Sequence, residues 1–276
     1  MGDFALLDAV VGDCSPGDAA ASRQTLVTGS ATIDTKGSWA VVVASTGEPV
    51  DGFLLCFAAN IDTSAAQRGC LVDVGIAPVG GAAGTESVIV ADMLYAQHTG
   101  FTNAWIPRQV PKGYRISVRL AGSTASQAAR IGIITVAGGM AGLDGAMSSV
   151  TYGAVAAGST GAVLTTATVV NTKSVWTVLS ASMSHAARWI SVFAGGPATA
   201  TNTAAFALID VGYGAAGLEV PYLRDLPMDI SLTEQSRFCP VTVPFSAPAG
   251  TRLVARYQAT SIAVTAKPAL TVVTYG

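Results

Sequence analysis

A repeat at one fixed spacing constrains the fold of this chain more than any other feature of its sequence. Trp176 follows Trp39 at an offset of 137, and residues 243–256 follow residues 106–119 at the same offset. Both segments read Ile/Val-Pro-x-x-x-Pro-x-Gly-x-Arg-Ile/Leu-x-x-Arg. Because such matches recur over most of the chain without a change of offset, we interpret the sequence as an internal duplication of one whole folding unit.

The repeat predicts two similar domains with short extensions. We assign residues 25–139 to the first copy and residues 162–276 to the second. Residues 1–24 are predicted to form an N-terminal arm that reaches a neighbouring subunit or docks onto the shell of an assembly, and residues 140–161 are predicted to form a linker. These two extensions, residues 1–24 and 140–161, are rich in Gly, Ala and Ser and match each other least well.

The hydrophobic pattern of each copy is typical of strands. Short runs rich in Val, Ile and Leu are separated by Gly, Pro, Asn, Asp or Ser, and no amphipathic segment is long enough to indicate a helix. Residues 163–170 and 228–232 are two of the strands predicted in the second copy. About eight strands per copy predict an all-β fold of two tandem β-sandwiches, with a jelly roll favoured over an immunoglobulin-like topology.

The composition favours a subunit of an assembly over a free enzyme. Charged residues make up 12% of the chain and hydrophobic residues 50%, whereas soluble proteins carry roughly 25% charged residues. A chain so poor in charge is expected to bury part of its outer surface against neighbours. The net charge of −2 and the lack of a Lys/Arg cluster exclude nucleic acid as an expected partner.

No targeting or membrane-spanning segment is predicted. The sequence begins Met-Gly-Asp-Phe-Ala-Leu-Leu-Asp, which lacks the basic region of a secretory signal. Apolar stretches of about 18 residues, the length that a membrane helix needs, do not occur.

Four arginines are the first candidate binding residues. In each copy a Pro-x-Gly turn leads into a strand with two arginines four positions apart, so both point to one face of the sheet. Such a ladder suits an acidic sugar or a partner's carboxylate. The favoured alternative is a solvated outer face or an internal ion pair, for instance with Asp73 or Asp210. The four residues are Arg115, Arg119, Arg252 and Arg256.

Asp73 and Asp210 lie within apolar strands at equivalent places. We interpret them as outward-facing residues of alternating strands or as caps near the following glycine. No second carboxylate matches in both copies at the repeat offset, so no catalytic acid–base pair is predicted. The Gly-x-Gly-x-x-Gly at residues 212–217 is interpreted as a loop, because Pro221 follows where a dinucleotide site requires a helix.

The tryptophans divide into two kinds. Trp39 and Trp176 occupy equivalent places and are predicted to pack in the core or between sheets. Trp105 and Trp189 are each unique to one copy, so they are the better candidates for exposed contacts with a glycan or a partner.

The sequence gives little support for metal binding or catalysis by its histidines and cysteines. His98 and His185 have no counterparts and form no zinc motif. Cys56 and Cys70 are predicted to be buried free thiols, with a disulfide between them as the alternative. No catalytic residue, metal or cofactor is therefore expected.

The chain resembles the small β-sandwich structural proteins of tailed-bacteriophage particles and related gene-transfer particles. The shared features are the tandem jelly-roll-like repeat, low-charge strands rich in Ala, Gly, Thr and Val, and the Pro-x-Gly-x-Arg strand entry at residues 111–115 and 248–252. Proteins of this kind decorate heads, form head fibres or spikes, or build collars and tails. The resemblance extends over the whole chain but includes no motif that assigns a function to a residue.

The resemblance implies a non-enzymatic structural protein of a virion, assembled in the host cytoplasm and bound to other virion proteins. Self-association with closed symmetry is expected, and a trimer is the preferred form. Two alternatives stay open. One is a glycan-binding module for attachment to a host surface. The other is a double jelly-roll major capsid protein, in which a tandem sandwich forms pseudo-hexagonal trimers.

Overall fold

Runs of Val, Ile and Leu form strands throughout this chain because branched side chains pack well on a pleated surface. A computed structural model of the 276 residues describes residues 10–11, 24–60, 69–95, 101–136, 148–165, 168–195, 205–230, 237–261 and 267–276. Within these ranges every helix-or-strand element is a strand. The predicted N-terminal arm lies outside the described residues except for residues 10–11 and 24.

Nine strands lie in the described part of the first half and eleven in that of the second. The first nine are β1 (Val10–Val11), β2 (Thr25–Thr28), β3 (Ala40–Val43), β4 (Gly52–Asn60), β5 (Cys70–Pro78), β6 (Ser87–Tyr95), β7 (Phe101–Ile106), β8 (Tyr114–Gly122) and β9 (Ala128–Val136). The others are β10 (Ser149–Tyr152), β11 (Ala154–Val155), β12 (Thr160–Val163), β13 (Thr177–Ser180), β14 (Ala187–Gly195), β15 (Ala205–Tyr213), β16 (Val220–Ile230), β17 (Arg237–Phe238), β18 (Val241–Ala247), β19 (Leu253–Ala259) and β20 (Ala269–Tyr275).

The strands of the first half form two antiparallel sheets, which enclose one core as the first sandwich. Sheet 1 has the order β2-β9-β4-β7, with β1 also paired to β9. Sheet 2 has the order β3-β8-β5-β6. This distribution of eight strands is that of a jelly roll, which agrees with the all-β, jelly-roll-like fold predicted from the sequence.

The second half forms a second sandwich of the same design. Sheet 3 has the order β12-β20-β14-β18, with β10 also paired to β20 and β11 to β12. Sheet 4 has the order β13-β19-β15-β16, and β17 extends it beyond β16. Part of the predicted linker therefore lies in strands, because β10, β11 and the start of β12 fall within residues 140–161.

Strand pairing repeats at the offset seen in the sequence. Asp73 lies opposite Arg119 between β5 and β8, and Asp210 lies opposite Arg256 between β15 and β19. Each pair between β15 and β19 matches a pair between β5 and β8 at the offset of 137. Duplication of an ancestral unit stays a prediction, because these pairings record present geometry and not descent.

The offset is not constant along the chain, which corrects the sequence alignment. Ten residues separate the paired residues Ile76 and Ser87 in the β5–β6 hairpin, whereas six separate Tyr213 and Val220 in the β15–β16 hairpin. Positions in β6 therefore correspond to positions in β16 at an offset of 133. By the same comparison of ladders, β9 corresponds to β20 at an offset of 139.

Two predicted strands have the wrong bounds. The strand predicted at residues 163–170 ends at Val163 instead, and bends and turns occupy residues 168–172. The strand predicted at residues 228–232 begins eight residues earlier, at Val220. Pro221 and Pro227 hid the start of this strand from the sequence pattern, because proline is tolerated only in an edge strand or at a bulge. The loop predicted at residues 212–217 is confirmed for residues 214–217, which lie between β15 and β16, whereas Gly212 and Tyr213 belong to β15.

Each sandwich has a core of inward-facing aliphatic and aromatic side chains, but the two cores are not equivalent. The first core also contains side chains of the second sandwich, namely those of Phe193, Ala269, Val273 and Tyr275. These four residues lie on the face of sheet 3 that points away from the second core. The first sandwich thus completes its core with the outer face of sheet 3.

Candidate functional site

The outer face of sheet 2 carries a cluster of charges centred on Asp73. The side chain of Asp73 is 3% exposed and accepts hydrogen bonds at both carboxylate oxygens. Lys36 Nζ lies 2.6 Å from Oδ1, and the Nε–H of Arg119 donates to Oδ2 at 2.9 Å. Lys36 also donates to the carbonyl oxygen of Leu71 at 3.1 Å. These partners of the Asp73 carboxylate are all hydrogen-bond donors, and two of them are cations.

A β-bulge supplies the remaining donor and a second carboxylate. Asp92 adopts a left-handed backbone conformation with φ of 53° where the pairing of β5 and β6 shifts between Val72 and Val74. Its backbone N–H donates to Asp73 Oδ1 at 2.9 Å, and its own carboxylate lies 2.8 Å from Lys36 Nζ. The bulge thus turns the edge strand so that both a donor and a negative charge reach the cluster.

The outer face of sheet 4 carries the same cluster around Asp210. Lys173 Nζ lies 2.7 Å from Asp210 Oδ1, and the Nε–H of Arg256 donates to Oδ2 at 2.9 Å. Asp225 has φ of 53°, donates its N–H to Asp210 at 3.0 Å and pairs with Lys173 at 2.7 Å. Each of these distances is nearly the same as its counterpart around Asp73.

A tryptophan covers each cluster. The guanidinium carbon of Arg119 lies 4.4 Å from the ring centroid of Trp39, and that of Arg256 lies 4.3 Å from the ring of Trp176. These are cation–π contacts on the outer faces of sheets 2 and 4. The prediction that both tryptophans pack in the core or between sheets is therefore wrong.

Glycine makes room for these rings. A Cβ on Gly75 would lie 2.7 Å from the ring of Trp39, and one on Gly212 would lie 3.0 Å from the ring of Trp176. The Asp-Val-Gly tripeptide of each copy thus combines the carboxylate at the centre of the cluster with the glycine beneath its tryptophan.

The other two arginines form a separate pair of contacts. Arg115 donates through Nε to Glu86 Oε1 at 3.0 Å and through its two terminal nitrogens to the carbonyl oxygens of Gly81 and Ala82. Arg252 donates to Glu219 Oε1 at 2.8 Å. Glu86 and Glu219 correspond at the offset of 133, so this ion pair also occurs in both sandwiches.

Three of these carboxylates have lowered pKa values. Burial alone would raise the pKa of Asp210, but hydrogen bonds from Lys173, the N–H of Asp225 and Arg256 outweigh it and lower the pKa. Burial likewise opposes the hydrogen bonds of Glu86, and the bonds from its own backbone and from Arg115 lower its pKa overall. The pKa of Glu219 is lowered chiefly by its hydrogen bond from Arg252.

The predicted arginine sites are thus engaged within the chain. Arg115, Arg119, Arg252 and Arg256 each pair with a carboxylate, as in the internal ion pair that the sequence analysis favoured. Asp73 and Asp210 lie on the outer faces of their sheets, as their interpretation as outward-facing residues predicted, but both are buried at the centres of these clusters. The sequence analysis also missed four carboxylates that match between the copies, because it held the offset at 137. They are Asp92, Asp225, Glu86 and Glu219.

The two candidate tryptophans lie on either side of the contact between the sandwiches. Trp189 is half-buried and packs against the first core from sheet 3. Trp105 is half-buried on β7, and its ring lies against Gly52 on the outer face of sheet 1. The structure therefore does not bring Trp105 and Trp189 together with the four arginines.

Hydroxyl groups of the second sandwich cap the edge strands of the first. Thr271 Oγ1 accepts from the N–H of Leu94 on β6 at 3.0 Å. Ser149 and Thr151 donate to the carbonyl oxygens of Ile89 and Ala91 on the same strand. On β7, the carbonyl oxygen of Trp105 accepts from Thr242 Oγ1 at 2.8 Å. The backbone groups that an edge strand leaves without a ladder are thereby satisfied.

Few other reactive groups stand out among the described residues. Cys56 and Cys70 are buried free thiols, as predicted, and burial raises the pKa of Cys70 to about 12. Burial lowers the pKa of His185, whereas His98 lies outside the described residues. In those residues no group of three His, Cys, Asp or Glu side chains has the arrangement of a metal site. No helix within them is long and apolar enough to span a membrane.

No family model matches the sequence, and a search of curated proteins finds no match.

Proposed function

We propose that this protein is a non-enzymatic structural subunit of a virion-like particle, a surface decoration, fibre or spike that self-associates through faces of its β-sandwiches. The support is that the charge clusters of sheets 2 and 4 are paired within the chain, while no sheet of the described residues packs on the apolar outer face of sheet 1. A subunit of this kind binds other copies of itself and other virion proteins, and a trimer is its preferred closed form.

The observation that carries the proposal is the outer face of sheet 1. Trp105, Leu54 and Ile134 lie side by side across β7, β4 and β9 on that face, and all three are half-buried. A sheet that faces water alternates apolar with polar residues, whereas a sheet covered on both faces does not. This row is apolar although it lies on an outer face, which favours a role for that face in packing contacts.

The corresponding row of sheet 3 supports the same proposal. It consists of Thr242, Ser191 and Val273, of which the first two share a hydrogen bond of 2.7 Å. This row faces the first sandwich, and Ser191 and Val273 are fully buried. The more polar row is therefore the covered one, and within the described residues the more apolar row has no second sandwich of its own chain against it.

The charge clusters agree with a structural role. Asp73 and Asp210 each contact two cations and a backbone N–H, so both carboxylates are engaged in ion pairs within the chain. Catalysis needs titratable groups that converge on a reacting atom and are free to change protonation. The clusters occur in both sandwiches with the same geometry. They are therefore best explained as contacts that hold the bulged strands β6 and β16 in place on sheets 2 and 4.

Light scattering on a size-exclusion column tests the proposal. The 27.8 kDa chain is expected to elute as a stable homo-oligomer at micromolar concentration, with a discrete mass and a particle visible by negative-stain electron microscopy. A monodisperse monomer over the whole concentration range contradicts the proposal. In that case binding to a glycan array would favour the host-attachment alternative instead.

A further inference from the structure

A half-buried arginine lies at the contact between β7 and sheet 3, here called the seam. Arg108 follows β7, the strand whose Trp105 carbonyl oxygen accepts a hydrogen bond from Thr242 of the second sandwich. Two of its guanidinium nitrogens, Nε and Nη1, are shielded from solvent and have no hydrogen-bond partner. Arginine keeps its positive charge in proteins. A guanidinium shielded in this way therefore needs a compensating negative charge.

The equivalent position of the second sandwich is apolar. Phe245 follows Arg108 at the offset of 137, at which the ladders of β7 and β18 also correspond. Its side chain is buried in the second core, with its ring edge-on to those of Tyr213 and Tyr222. The sandwich fold itself thus does not require a charge at this position, which favours a role of Arg108 in binding.

The second sandwich contributes a tyrosine hydroxyl to the seam. Tyr275 on β20 is fully buried and belongs to the first core. Burial lowers the pKa of Arg108, and the nearby hydroxyl of Tyr275 opposes this change. Burial raises the pKa of Tyr275, against which the hydrogen bond from Ser191 and the charge of Arg108 both act. The guanidinium and the phenol thus lie close enough for each to influence the other.

A chain of hydroxyl groups fixes this tyrosine. Thr242 Oγ1 donates to the carbonyl oxygen of Trp105 at 2.8 Å and shares a hydrogen bond of 2.7 Å with Ser191 Oγ. Ser191 Oγ in turn donates to the hydroxyl oxygen of Tyr275 at 3.3 Å. Because Tyr275 accepts this bond, its own proton is left for another acceptor. Arg108 and Tyr275 therefore both present donors to the seam.

We propose that Arg108 and Tyr275 bind a small monovalent anion of the size of chloride in the seam between the two sandwiches. The ion compensates the single charge of the guanidinium and accepts the phenol proton, and such charge-assisted hydrogen bonds are strong. It has to be small, because the guanidinium nitrogens are shielded from solvent. The bound anion joins a residue of each sandwich, so it strengthens their contact. This inference goes beyond the proposed function and does not depend on self-association.

Titration of the full chain with sodium chloride tests the site, with sodium gluconate replaced step by step so that the ionic strength stays constant. The Tm of the wild type is expected to rise by about 3 °C, as for a chain of this size at roughly tenfold excess of ligand over Kd. The wild type should also broaden the NMR line of chloride. Arg108→Gln is expected to abolish both effects, and Tyr275→Phe to weaken the affinity roughly tenfold through the loss of one hydrogen bond to an ion.

Arg224→Gln is the matched control, because Arg224 is an exposed arginine of β16, and this variant is expected to keep the full chloride response. Arg108→Leu is a second variant of the site. It is expected to fold, since Phe245 shows that an apolar side chain suits the equivalent position, and to give no chloride response. An equal rise of Tm in the wild type and in both Arg108 variants overturns the inference, as does a wild type that leaves the chloride line unbroadened. Neither result bears on self-association, because both readouts apply to a monomer and an oligomer alike.

Discussion

Strands β6 and β16 occupy the same position in the two sandwiches, yet the chain protects them by different means. β6 has its outward backbone groups capped by hydroxyls of Ser149, Thr151 and Thr271 from the other sandwich. β16 carries Pro221 and Pro227, and β17 pairs with its last residues. Both devices prevent an open edge from pairing with another chain. The comparison shows that one edge is built for a partner within the chain and the other is closed to further strand addition, while it still presents an apolar surface.

Truncating Phe193 is expected to have the largest effect on stability. Its ring is buried in the first core although it belongs to the second sandwich. Phe193→Ala should lower the free energy of unfolding by about 3–5 kcal/mol, as for other buried aromatic side chains. Its counterpart on the outer face of sheet 1 is Cys56, and Cys56→Ala should cost roughly 1 kcal/mol because only one heavy atom is removed. Urea unfolding of both variants measures the difference, and equal losses would show that the sandwiches do not share a core.

Neutralising the centre of a charge cluster is expected to have the next largest effect. Asp210→Asn leaves Lys173 and Arg256 without their buried counter-charge, and such a loss costs about 3 kcal/mol. Asp73→Asn in the other sandwich should cost the same within about 0.5 kcal/mol, because the two clusters share their geometry. Denaturant midpoints of the two variants compare the clusters directly. A large effect in only one of them would show that the two clusters are not equivalent supports.

The same cluster predicts how stability depends on pH. The folded-state pKa of Asp210 lies below its ordinary value of 3.8. The stabilisation is therefore present above pH 3.8 and is lost as the pH falls through the folded-state pKa. Glu86, whose pKa is also lowered from 4.5, contributes in the same direction. Unfolding free energies measured from pH 7 down to pH 3 should decrease, and Asp210→Asn should show a shallower decrease than the wild type.

Removing a cap on β6 is expected to have the smallest effect. Thr271→Val keeps the shape of the side chain but leaves the buried N–H of Leu94 without an acceptor, which costs about 1–2 kcal/mol. Thr271→Ser retains the hydroxyl and serves as the control, with a smaller loss of stability. Hydrogen exchange at Leu94 should accelerate in the valine variant alone. Unchanged exchange there would show that the edge is protected by packing and not by the hydroxyl.

Strand pairing was accessible to sequence reasoning where the repeat offset holds. Arg119 and Arg256 were placed on one face with Arg115 and Arg252 by alternation alone, and ion pairing with Asp73 and Asp210 was among the alternatives. The partners Asp92 and Asp225 were not accessible, because a shorter hairpin and a left-handed bulge residue displace them from the repeat. An alignment that allowed a four-residue gap in that hairpin would have revealed both.

The sequence by itself determined that the fold is all-β, that the two arginines of β8 and those of the equivalent strand share a face, and that positions of β5 and β8 recur in the second half. These properties are local, since they follow from a period of two residues and from turns at glycine and proline. Tertiary structure alone decided that the outer face of sheet 3 packs against the first sandwich, whereas no sheet of the described residues packs on the outer face of sheet 1. Alternation separates the two faces of a strand, but whether an outer face meets water or another sheet depends on residues more than a hundred positions away, such as Thr271 beside Leu94.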